Sequence, residues 1–261
     1  MTKPVRYALI AALGGFLFGF ETAVISGAEQ TIEKLWNLTP SQLGLTVASS
    51  LFGTVLGSLL AGYPAGSLGR KRTLLLIALM YVFSAIGCAL SDGLMLFVLF
   101  RFIGGVAVGA SSVVGPMYIS EISPAGLRGR LAGSFQLNIV LGILVAYVSN
   151  YFFASSGEES WRWMLGIMVV PAALFAFLIG TIPESPRWLI LKRRTEEAII
   201  TLEGLGERDP QSTLSEIKSS VSTRTENLYQ AKWPASTHRT PICSRYTSVV
   251  RTCCSRYSPC R

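Results

Sequence analysis

Two ionisable residues, Glu21 and Arg101, interrupt otherwise apolar stretches of this 261-residue chain. A charge inside hydrocarbon costs about 2.5–3.5 kcal/mol to insert even on a lenient scale, so such a residue is a functional candidate by default. At 1.5 Å per residue, both lie at one depth, roughly 10–12 Å from the outer end of their stretches. Opposite charges at one depth can pair, and pairing relieves much of the burial cost. Two chemistries are open: a static ion pair, or a carboxylate that binds a proton and loosens its hold on the guanidinium. Burial and a neighbouring cation act on such a carboxylate in opposite senses, and their balance decides whether it titrates. Amides supply a second polar set: Gln136 and Asn138 in one half of an apolar stretch and Asn150 in the other. With both donors and acceptors they suit a neutral polyhydroxyl ligand. Asn138 and Asn150 serve equally well as glue between helices.

The elements that must carry these residues are six apolar stretches: 7–26, 43–66, 73–90, 94–120, 131–153 and 163–182. About 20 helical residues cross a hydrocarbon core roughly 30 Å thick. Open sheet edges are not tolerated in lipid, so the stretches are helices. Half of the chain is apolar and only 15% is charged, with a mean hydropathy of +0.46. A soluble domain carries about 25% charge. The fold class is an all-α membrane protein with six transmembrane helices. Gly53, Gly57, Gly62 and Gly66 in span two, and Gly104, Gly105, Gly109 and Gly115 in span four, read as faces where helix backbones approach closely.

Charge placement sets the orientation. Lys3, Arg6, Arg70, Lys71, Arg72, Arg128, Arg130, Arg187, Lys192, Arg193 and Arg194 flank the spans on one face, and acids dominate the other. By the positive-inside rule both termini are cytoplasmic. The net charge of +8 is no nucleic-acid signal, because residues 222–261 hold seven Lys/Arg against one acid. The first stretch contains Glu21 and is too long for a cleavable signal peptide. Trp161, Trp163 and Trp188 sit at span boundaries and read as interface anchors. Cys88 is a small hydrophobe within span three. The spacing of Cys243, Cys253, Cys254 and Cys260 matches no zinc module, so neither a metal nor a cofactor is expected.

Three segments follow: a six-span bundle over 1–183, a cytoplasmic helical segment over 184–221, and a basic tail over 222–261. Thr195–Leu205 has amphipathic helical spacing, stopped by Gly206 and Asp209-Pro210, and a short helix over 214–221 follows. The tail, rich in Ser, Thr, Arg and Cys, lacks a hydrophobic period and reads as disordered, with the composition of a frameshifted or foreign ending.

Several motifs are specific. Gly15–Gly27 reads GFLFGFETAVISG, Gly66–Arg72 GSLGRKR, Arg101–Gly105 RFIGG, Pro116–Gly129 PMYISEISPAGLRG and Pro183–Leu189 PESPRWL. In order and topology they resemble the sugar porter family of the major facilitator superfamily, over the amino-terminal six-helix half of a fold built from two halves, itself a 3+3 inverted repeat. The resemblance implies that Glu21 takes the place of the proton-coupling Asp of sugar–proton symporters, with Arg101 as its partner. Facilitative glucose carriers have Asn there, so a carboxylate leans toward symport; Glu for Asp adds one methylene. Gln136, Phe18 and Ile139 match positions that contact the sugar, whereas Ile143 replaces a glutamine of the xylose carrier. Arg70, Glu121, Arg128, Glu184 and Arg187 match a cytoplasmic charge network that latches the outward-open state. The acid–base pair usual earlier in that family loop is absent, with Gly66 and Ser67 in its place.

The expected function is secondary active sugar transport in the cell membrane by alternating access, with a monosaccharide, a proton and the bilayer as partners. A proton-independent uniporter and a non-transporting half-transporter are the alternatives. An intramembrane serine protease is excluded because the only histidine, His238, lies in the tail. A channel would need a filter loop, and none is evident. A half-bundle calls for a second six-helix half or self-association, since transport needs a cavity between two rocking halves. Its open face is expected to carry Glu21, Gln136 and Arg101.

Overall fold

Every long apolar stretch is helical in a computed structural model of the chain, which describes residues 3–124, 126–154, 157, 159–206 and 209–219. Span one is α1 (Lys3–Leu35); span two is α2 (Pro40–Leu60) and α3 (Gly62–Ser67); span three is α4 (Arg70–Ala89); span four is α5 (Leu94–Ile122). Span five is α6 (Arg128–Phe153), and span six is α7 (Ser160–Gly166) with α8 (Val169–Thr181). All six are long and apolar enough to cross a membrane. Two short helices, α9 (Pro186–Leu191) and α10 (Thr195–Leu205), follow. Contacts group Met1–Ile217 as one compact unit. The expected tail, with His238 and its four cysteines, lies outside the described residues.

Two spans are broken where proline demands it. Pro64 has no N–H for the Leu60 carbonyl, and α2 gives way to α3 there. Pro171 likewise cannot serve Ile167, whose carbonyl instead accepts from Val170 at 3.1 Å. Span one runs nine residues past the expected Ser26, because Ala28 and Ile32 continue its buried stripe. Asp209-Pro210 starts a helical stretch rather than only ending one: the Asp209 carboxylate accepts from the Ser212 N–H at 3.0 Å, and proline suits the first helical position.

Span one is the core, with 72% of its most apolar window buried, against 22% for span five. The most extensive contacts are α1 with α6 and α2 with α5. Exchanging the first three spans for the last three interchanges these two pairings, as an inverted repeat requires. Both crossings are made by backbone meeting backbone. The Cβ that Gly19 lacks would meet the Ile139 carbonyl, and that of Gly142 the Phe16 carbonyl; on the other crossing Gly105 faces Ser50 and Gly109 faces Thr54 in the same way. Gly62 and Gly66 have open space there and play no part in the interface.

The tryptophans depart from the expected anchoring. Of the three boundary tryptophans only Trp163 is exposed; Trp161 is 1% exposed, packed against Trp36 and Phe97. Trp188 is buried and donates through Nε1 to the Gly66 carbonyl at 2.9 Å. With Leu189, Ile190, Ala198 and Leu214 it forms a small core of its own.

Candidate functional site

The charged residues of the two apolar runs meet. Arg101 on α5 donates through Nη1 to Glu21 Oε1 on α1 at 2.5 Å, and to the Glu21 main-chain oxygen at 3.3 Å. Their exposures are 3% for Glu21 and 2% for Arg101. Space for the carboxylate exists because Gly104 has no side chain: a Cβ there would strike Glu21 and the Ser84 hydroxyl. Ser84 donates to the Phe100 carbonyl at 2.7 Å. Breaking such a buried pair by removing one partner costs about 3–5 kcal/mol, since the survivor is left charged and uncompensated. The expectation that an isolated half would carry this pair on its open face is therefore corrected. Both groups lie inside the bundle, where the small residues of α1 and α5 draw the helices together.

The expected sugar-contacting residues lie on neighbouring helices. Gln136 is exposed on α6 and, among the described residues, makes no hydrogen bond; Ile139 is half-buried one turn further along. Phe18 on α1 is half-buried and packs against the core. Asn150 is glue: its Nδ2 donates to the Val24 carbonyl of α1 at 3.1 Å. Asn138 donates within its own helix, to Ser134 at 2.9 Å.

At the basic end, three of the five expected charges come together. Arg70 grips Glu121 with both arms, Nε to Oε2 at 2.8 Å and Nη2 to Oε1 at 2.9 Å, while Nη1 donates to the Ala65 carbonyl. Glu184 accepts from the main-chain N–H groups of Arg70 and Lys71 at 2.8 and 3.0 Å. Its carboxylate thereby neutralises the positive N-terminus of α4. Gly69, with φ of 100°, turns the chain into that helix and lies against Glu184. Arg128 and Arg187 are not drawn in. Among the described residues neither makes an ion pair, and both line a cavity of about 600 Å³ bordered by Glu121.

Sequence reasoning missed three members of this cluster. Ser185 donates to Glu121 Oε2 at 2.5 Å and caps α9; Tyr118 donates to the Pro183 carbonyl at 2.8 Å; Lys71 donates to the Gly180 carbonyl at 2.9 Å. The Ser185-Pro186 pair carries a helix-start signal; nothing in the local sequence marks the other two.

This architecture is the amino-terminal half of a major facilitator fold. It superimposes on the Escherichia coli xylose transporter, in a partially occluded inward-open conformation, with a TM-score of 0.80 and 36% identity, covering 84% of this chain and 59% of that one. The model of the sugar (and other) transporter family matches residues 7–254, and the chain belongs to that family. It is 41% identical over 236 residues to a glucose transport protein of Synechocystis sp. (strain PCC 6803), covering 85% of this chain and 50% of that protein. It is 38% identical over 222 residues to the D-xylose-proton symporter of Escherichia coli K12, covering 73% and 45%. The chain thus spans about half the length of the curated relatives it matches. The family is one of transporters rather than enzymes.

Proposed function

We propose that this six-helix bundle forms one wall of a sugar pathway that works by alternating access and couples the sugar to a proton. The observation that carries the reading is the buried Glu21–Arg101 pair. An ion pair that joins two spans and changes when its carboxylate is protonated is a bistable element of the kind transport cycles use. Glu21 is the coupling group, Arg101 its counter-charge, and Gln136, Phe18 and Ile139 face the sugar. The cluster of Arg70, Glu121 and Glu184, with Arg128 and Arg187 beside it, is the cytoplasmic gate. Both termini lie on the cytoplasmic side, following the basic loops. The D-xylose-proton symporter among the relatives supports proton coupling.

A second reading is favoured by one observation. Span five leaves a broad apolar face uncovered, including Leu137, Val140, Leu144 and Tyr151. A bundle in this state needs a second six-helix half, or another copy of itself, to enclose a pathway. Uptake of labelled glucose and xylose decides between the readings. It is measured into proteoliposomes holding the chain alone, and holding it with the carboxyl-terminal half of a relative, with and without an imposed proton gradient. Gradient-driven uptake only with the added half is expected; no uptake in either case overturns the transport reading.

A further inference from the structure

A groove of about 500 Å³ opens at the end of the bundle opposite the basic loops, where α4 finishes and α7 begins. Its floor is apolar: Ala89, Leu90, Gly166, Ile167 and Val170. Gly166 lies against Ala89, where a Cβ would come within 3.3 Å of the Ala89 side chain, so the two helices meet along this floor. Its rim is charged. Arg162 donates to the Ala89 carbonyl at 3.0 Å and to Asp92 Oδ1 at 2.9 Å, and pairs with Glu159 Oε2 at 2.9 Å. It also stacks on Trp161, 4.8 Å from the ring centre. One guanidinium thus faces two carboxylates, and the rim is net negative among the described residues. Asp92 and Glu159 are both exposed and each keeps an oxygen that no described residue engages.

We propose that this groove binds a zwitterionic phospholipid whose headgroup ends in a primary ammonium. One acyl chain lies along Ala89, Gly166 and Val170. The ammonium donates to Asp92 and Glu159, and the phosphate meets the free N–H groups of Arg162. An apolar floor at the membrane boundary needs a hydrocarbon occupant, and the exposed Trp163 ring beside it suits the headgroup level. Charge selects the headgroup. An anionic headgroup without an ammonium meets a net negative rim, and a quaternary ammonium has no N–H for the carboxylates.

The proposal is tested by native mass spectrometry of the purified full chain released from vesicles. The vesicles contain equal parts of phosphatidylethanolamine, phosphatidylcholine and phosphatidylglycerol. A retained lipid enriched roughly two- to fivefold in phosphatidylethanolamine is expected, the range for exposed ion pairs. Val170→Trp, at a position 64% exposed, fills the groove without entering the core and should abolish retention. Asp92→Asn combined with Glu159→Gln should keep one lipid bound but remove the headgroup preference. Retention without preference in the unaltered chain, preference for phosphatidylglycerol, or retention unchanged by Val170→Trp would each overturn it.

Discussion

Arg101 reaches both the carboxylate and the main-chain oxygen of Glu21 through a single nitrogen, Nη1. The contact therefore fixes the backbone of span one as well as its side chain. Losing the carboxylate's charge would leave the main-chain bond intact, so the helices would stay docked while the side chain turns free.

Glu21→Gln follows from that geometry. In proteoliposomes where the bundle is completed by a second half, the variant should lose uphill sugar accumulation and keep sugar exchange. Counterflow and gradient-driven uptake measured side by side read the two activities. Uphill accumulation by the Gln variant would remove Glu21 from the coupling role.

Gln136→Ala removes an amide that no described residue engages. Sugar affinity should fall by roughly 2- to 12-fold, the equivalent of about 0.5–1.5 kcal/mol for one neutral hydrogen bond. Membrane insertion should be unaffected, because the side chain is exposed on α6. Titration calorimetry on the completed transporter checks the affinity.

Glu121→Gln should destabilise the basic end by about 3 kcal/mol, leaving the buried Arg70 guanidinium without its partner. Arg187→Gln should cost little stability, since that side chain makes no ion pair among the described residues. Thermal unfolding of the two variants in one detergent separates them. Equal losses would mean that Arg187 shares the cluster after all.

Gly19→Leu should prevent the bundle from assembling, whereas Gly62→Ala should be tolerated. A side chain at Gly19 runs into the Ile139 carbonyl, and one at Gly62 meets open space. Size-exclusion profiles and protease resistance of the two variants report the difference.

The six spans and the Glu21–Arg101 encounter were legible in the sequence because each leaves a one-dimensional trace: a long apolar run, or a charge interrupting one at a countable depth. Which way the pair faces left no such trace. It depends on how closely α1, α5 and α6 pack, which Gly19, Gly104 and Gly142 decide jointly. The charge cluster at the basic end shows the same boundary. Five charges could be named, but whether Arg70, Arg128 or Arg187 captures Glu121 is set by where α4, α6 and α9 begin in space. Trp188 was misread because its boundary position is shared by anchors and by residues that tuck under a bundle. Its Nε1 bond to Gly66 makes it the latter. Asp209-Pro210 was misread because the same dipeptide ends one helix and starts the next.

The glycine crossings of α1 with α6 and of α2 with α5 divide the helices into positions of very different mutational freedom. Where a carbonyl occupies the space of a Cβ, the smallest possible side chain is already too large, and no graded series of substitutions leads away from glycine. On the outward faces of the same helices, at Leu59 or Val140, any apolar residue will do. Drift in these four helices is thus closed along two narrow seams and open on the faces turned away from the bundle. A library that randomises α6 should return glycine at 142 and a broad apolar mixture at 140.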